Sequence, residues 1–177
     1  MRAKGQNVIS KPDVVNEIGG GVTRVCYNVT ESVNEDGVAV FDYEYVDVKS
    51  GKDVLASVKE LVCGEIADHD TSDAVNGFYV NGEHVWLDKA TRVGIKSALD
   101  DYERMGVASY TFWFGNRMVE MPISVAHDVM AKIELYASEC FNVTSAHKVH
   151  VSQTADVESA LMYDYSVGYP EKVSITI

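Results

Sequence analysis

The sequence predicts an α+β fold in which β-hairpins pack on one long C-terminal α-helix, preceded by an N-terminal arm and a hairpin–helix module. Three observations predict it. Apolar residues recur at three- and four-residue spacing from 123 to 151, strand-like runs come in pairs closed by turn residues, and the start of the chain is broken by proline and glycine. At 177 residues and 46% hydrophobic content the chain can bury a core without disulfide or metal.

Lys11-Pro12-Asp13 interrupts any regular element and Gly19-Gly20-Gly21 reads as a hinge, so residues 1–21 are expected to form a flexible arm. Runs 22–29 and 38–48 flank Asn34-Glu35-Asp36-Gly37, which is turn chemistry, and predict a first hairpin. In its second strand Val40, Asp42, Glu44 and Val46 share one face, while Phe41, Tyr43 and Tyr45 share the other. Val54, Leu55, Val58, Leu61, Val62 and Ile66 give a helical stripe over 53–66, completing a module of residues 22–75. The polar run from Asp68 to Asp73 reads as a linker and places the main boundary there.

Residues 76–177 are expected to form the α+β domain. Asn81-Gly82 closes a second hairpin, and Asp88 is placed to cap a helix that ends near Gly106. Val93, Ile95, Ala98, Leu99 and Tyr102 form its stripe, and an Asp88–Arg92 ion pair would brace the strand-to-helix corner. Gly115-Asn116 closes a third hairpin, in which Tyr110, Phe112 and Phe114 share a face and Trp113 points the other way. The long helix follows Pro122, with Ile123, Ala126, Met130, Ile133, Ala137, Cys140, Thr144, His147 and Val151 along one side. A short helix at 156–162 and an extended tail end the chain.

The net charge of -12, from 15 basic and 27 acidic residues, repels phosphates and anionic lipid, so neither nucleic acid nor membrane is expected as a partner. No run approaches the roughly 18 apolar residues of a membrane span, and no apolar leader is present, which predicts a soluble protein made in a cytoplasm. Cys26, Cys63 and Cys140 lie far apart and read as free thiols. No nucleophile elbow, phosphate loop or dinucleotide fingerprint occurs, so catalytic, cofactor and metal residues are all expected to be none. His147 and His150 stand one turn apart as metal-binding histidines do, with Glu139 or Glu158 as conceivable third ligands; a small metal-dependent hydrolase is the alternative they leave open. His147 also falls on the apolar stripe, where a core histidine is the ordinary explanation. Asp68-His69-Asp70 reads as a solvated loop. Burial on both faces within the fold is the ordinary reading of the Tyr110–Phe114 strand, and a subunit contact through Trp113 is the sharper one; Trp113, Tyr43 and Tyr45 are the candidate interface residues.

One series of motifs carries a resemblance. It consists of Trp86-Leu87-Asp88-Lys89 with Thr91-Arg92, the aromatic strand from Tyr110 to Phe114, and Ile133-Glu134-Leu135-Tyr136-Ala137. Cys140-Phe141-Asn142-Val143-Thr144 with His147-Lys148, Tyr163-Asp164-Tyr165, and Gly168-Tyr169-Pro170 complete it. Over residues 76–172 the chain resembles a family of short bacteriophage and prophage proteins, common in phages of gut bacteria and associated with tail-fibre and tail-assembly genes. The resemblance implies a non-enzymatic structural protein of the virion, in the tail or its fibres, present in many copies or as a homo-oligomer and contacting other phage structural proteins. A tail-fibre assembly chaperone that does not remain in the particle is the alternative. The family supplies no catalytic residues to carry over.

Overall fold

The computed structural model describes residues 2–51 and 53–177. The fold is α+β. Its elements divide by contact into two compact units: residues 1–65 with 148–164, and residues 66–147 with 165–177.

The first unit holds a four-stranded antiparallel sheet of order β1-β4-β3-β2, built from β1 (Ala3–Val8), β2 (Val15–Gly19), β3 (Val22–Val33) and β4 (Ala39–Lys49). The expected arm is therefore two edge strands. β1 pairs with β4 and β2 with β3, so the β4 edge is covered by the chain's own N-terminus. The three glycines do not hinge. Gly19, Gly20 and Gly21 all take positive φ and turn β2 tightly into β3, a run of left-handed positions that only glycine adopts without strain. The Asn34 turn forms as expected, with its side chain accepting from the backbone N–H groups of Asp36 and Val38.

Alternation in β4 sorts its two faces. Val40, Val46 and Val48 are buried, whereas Phe41, Tyr43 and Tyr45 are half-buried. In β3, Thr23, Val25 and Tyr27 are buried beside them, and α5 (Val157–Leu161) lies against this strand. Bulges interrupt β1 between Gly5 and Val8 and β3 between Tyr27 and Thr30, where Asn7 and Asn28 supply positive φ.

Helix α1 (Val54–Thr71) extends five residues beyond its predicted end, so the Asp68–Asp73 run is its last turn and the step into α2 (Asp73–Asn76) rather than a linker. The unit division falls inside α1 and inside α4 (Ile123–Gln153). Each helix thus contributes residues to both units, which differs from the sequence-read blocks 1–21, 22–75 and 76–177.

In the second unit, hairpin β5 (Phe78–Val80) and β6 (Glu83–Val85) turns on Asn81 and Gly82, both at positive φ. Helix α3 (Lys89–Arg104) is capped by Asp88 and followed by Gly106 at positive φ. Hairpin β7 (Ser109–Phe114) and β8 (Arg117–Pro122) leads directly into α4. The tail adds β9 (Ser174–Ile175), parallel to β5. One core gathers Phe78, Leu99, Phe112, Phe114, Met130 and Ile133, joining both hairpins, α3 and the first half of α4. The predicted α4 stripe is buried except at Ala137, which is half-buried; Val129 and Tyr136 are buried beside it. On α3 the predicted Val93 is instead exposed and Arg92 buried.

Candidate functional site

Two features of the second unit stand out once its core is assembled: an aromatic outer face on the β7–β8 ribbon, and a cleft beside α3 and α4.

Phe112 and Phe114 fill the inner side of the ribbon, stacked with ring centroids 5.4 Å apart. Period-two alternation then forces Trp113 outward, and its cross-strand partner is Met118. Trp113 is 62% exposed and Met118 58%, so both apolar side chains meet solvent on a ribbon fixed by the core beneath it. Among the described residues the sheet consists of these two strands.

Tyr43 and Tyr45 lie in the other unit and are engaged locally. Their rings are 6.0 Å apart. The Arg24 guanidinium sits 3.8 Å from the Tyr45 centroid while bonding both Asp47 carboxylate oxygens, at 2.8 and 3.0 Å. Tyr43 covers Gly5, where an added Cβ would lie 2.3 Å from the ring. These tyrosines brace the sheet's half-exposed face.

The cleft has a volume of about 700 Å³. Trp86, which follows β6, and Phe141 of α4 line it, 44% and 60% exposed. Arg92 and Glu134 also line it, and their pairing revises the expected corner brace. The Asp88 carboxylate accepts from the Thr91 backbone N–H at 2.9 Å and from its hydroxyl at 2.6 Å, bonds that hold its pKa below the usual range. Arg92, only 7% exposed, donates instead to Glu134 at 3.0 Å and to the Leu87 carbonyl at 2.8 Å. Helix capping takes the nearby carboxylate, and the buried guanidinium finds one 42 positions away.

Asp70 enters the cleft from the end of α1 and is held by a partly buried chain of hydroxyls. Thr144 Oγ1 donates to Asp70 at 2.9 Å and lies 3.0 Å from Tyr169 Oη. Since an ionised carboxylate only accepts, Tyr169 donates to Thr144 and Thr144 to Asp70. The His69 and His147 rings flank Tyr169 at 5.5 and 5.6 Å. His147 Nε2 meets the Val167 carbonyl at 2.9 Å, so that nitrogen carries a proton. His150 stacks on Tyr163 at 4.5 Å. Among the described residues no group of three or more His, Cys, Asp or Glu is arranged to hold a metal ion.

Tyr136 Oη donates to the Val75 carbonyl at 2.5 Å, and burial pushes its pKa well up. Burial likewise raises the Cys26 and Cys140 thiols, and all three cysteines are free. No described helix is long and apolar enough to cross a membrane. Comparison with family models, with curated proteins and with solved structures returned no match to this chain.

Alternation alone placed Trp113 on the face opposite Tyr110, Phe112 and Phe114, but did not say whether its own face would be buried or exposed. The cleft was not legible, because its lining comes from α1, α2, α3 and α4, and only folding brings these positions together.

Proposed function

We propose that this protein is a non-enzymatic bacteriophage structural protein, a virion subunit of the tail or tail fibres that acts through protein–protein contacts. The observation that carries the reading is the exposed Trp113–Met118 pair on a ribbon anchored by Phe112 and Phe114. Tryptophan and methionine are enriched at the centres of protein interfaces, and a rigid base lets them bind with little loss of conformational entropy. Burying each side chain is worth about 1.5–3 kcal/mol. The phage setting comes from the motif series over residues 76–172.

The test is to identify the proteins of purified particles by mass spectrometry and to compare the wild type with Trp113→Ser. A virion subunit is present in stoichiometric amount. Trp113→Ser should keep the thermal midpoint, because the side chain contributes little to the core, and should enter particles several-fold less. A chain abundant in lysate but missing from particles would instead identify an assembly chaperone. Unchanged incorporation of the variant would remove Trp113 from the interface.

A further inference from the structure

We propose that the cleft walled by Trp86 and Phe141 is a binding site for a neutral polyhydroxylated ligand, a saccharide. Its volume, about 700 Å³, lies within the range of small-ligand sites. What selects the ligand is how the lining groups are already engaged.

The cationic and anionic groups largely compensate one another. Arg92 gives two of its five N–H groups to Glu134 and the Leu87 carbonyl, and the Glu134 carboxylate beside it offsets its charge, which weakens its pull on an incoming anion. Asp88 serves its helix cap, and Lys89, next to it in sequence, lines the same cleft with the opposite charge. Asp70 is the residual acid, and Thr144 bonds only one of its oxygens. The Asn76 side chain gives its N–H to the Asp70 carbonyl, leaving its own oxygen to accept, and the Ser138 hydroxyl adds a further polar group. The cleft therefore offers hydrogen-bond acceptors, two exposed aromatic rings and little net charge.

Each other ligand class fits less well. An anion meets an Arg92 whose charge the paired Glu134 offsets, within a chain of net charge -12. A purely apolar molecule would strip water from the Asp70 and Asn76 oxygens without replacing it, at a cost of about 1–3 kcal/mol for each group. A cation finds ring faces but only one carboxylate without a nearby counter-charge. A sugar answers all three features: its hydroxyls donate to the acceptors, its C–H face lies on an aromatic ring, and it carries no charge. The Tyr169–Thr144–Asp70 chain and the Arg92–Glu134 pair fix the acceptors before binding, which lowers the ordering cost.

The chain has two tryptophans, so Trp113→Phe leaves Trp86 as the sole indole reporter and makes the result independent of any assembly role of Trp113. The full-length variant is titrated, by fluorescence, with linear trisaccharides of glucose, galactose, mannose and N-acetylglucosamine, and with trilysine. At least one sugar should give a saturable change in Trp86 emission. Adding Phe141→Ala should weaken that sugar roughly tenfold while the thermal midpoint holds, since Phe141 is mostly exposed. Saturation by none of the sugars, saturation by trilysine alone, or a sugar response indifferent to Phe141→Ala would each overturn the assignment.

Discussion

Tyr136 shows what one buried hydroxyl does for this molecule. It projects from the middle of α4 and donates to the carbonyl of Val75 in α2, 61 positions earlier in the chain. Burial raises its pKa above the value of about 10 for an unfolded tyrosine. The folded state therefore holds this proton more tightly than the unfolded state. Its contribution to stability is complete below pH about 10 and is lost as the pH rises through the folded value. Urea unfolding from pH 8 to 12 should show stability falling above pH 10 in the wild type. Tyr136→Phe should be less stable at pH 8, by about 1–3 kcal/mol for the carbonyl left without its donor, yet show a shallower alkaline decline. Parallel declines in the two proteins would assign the alkaline limb elsewhere. Sequence spacing could place Cys140 on the buried stripe, but not Tyr136, which sits at its margin, nor the partner of Arg92. Both side chains are satisfied by groups that no local pattern connects to them.

At the scale of elements, what was legible followed sustained periodicity and turn chemistry. Helix α4 keeps its three-four spacing for eight turns, Asn34 closes its turn through its side-chain oxygen, and Asn81 and Gly106 mark a chain reversal and a helix end by a conformation few residues adopt. Strand β1 had no such signal. Its sequence, Ala-Lys-Gly-Gln-Asn-Val, is polar and interrupted, and it is a strand because β4 offers an unpaired edge for it to complete. Gly5 is the point where the two strands close up, since the Tyr43 ring occupies the space a Cβ would need. Gly5→Ala should destabilise the protein by about 1–3 kcal/mol through displacement of that ring. In Gly5→Ala/Tyr43→Ser the clash is gone, so the double variant should lose less than the sum of the two single changes. Denaturation midpoints of the three variants measure this coupling; simple additivity would mean that Tyr43 does not determine the need for glycine.

For the whole molecule, the decisive misreading concerns residues 68–73. Their composition is that of a linker, and polarity alone cannot distinguish a solvated loop from a helix end several of whose polar groups have partners. Here His69 packs edge-on against Tyr165 and Tyr169, Asp70 accepts from Thr144, and the Asp70 carbonyl receives the Asn76 amide. The tail after 165 is held by the same groups, as Lys172 donates to the Asp73 carbonyl at 2.7 Å. A boundary drawn at residue 75 would cut through this set. Two fragments test the point. Fragment 76–177 begins where the sequence alone would divide the chain, whereas 66–177 retains the last turns of α1 and all of α2. In the shorter fragment Tyr136 loses its acceptor and Thr144 keeps only Tyr169, and one buried hydroxyl without a partner costs about 1–3 kcal/mol. That is a large part of the stability of any domain of this size. Fragment 66–177 should therefore retain more near-ultraviolet circular dichroism and a sharper thermal transition, while 76–177 should melt broadly at lower temperature. Equal transitions in the two fragments would show that the end of α1 is dispensable, and would restore 68–73 as a linker.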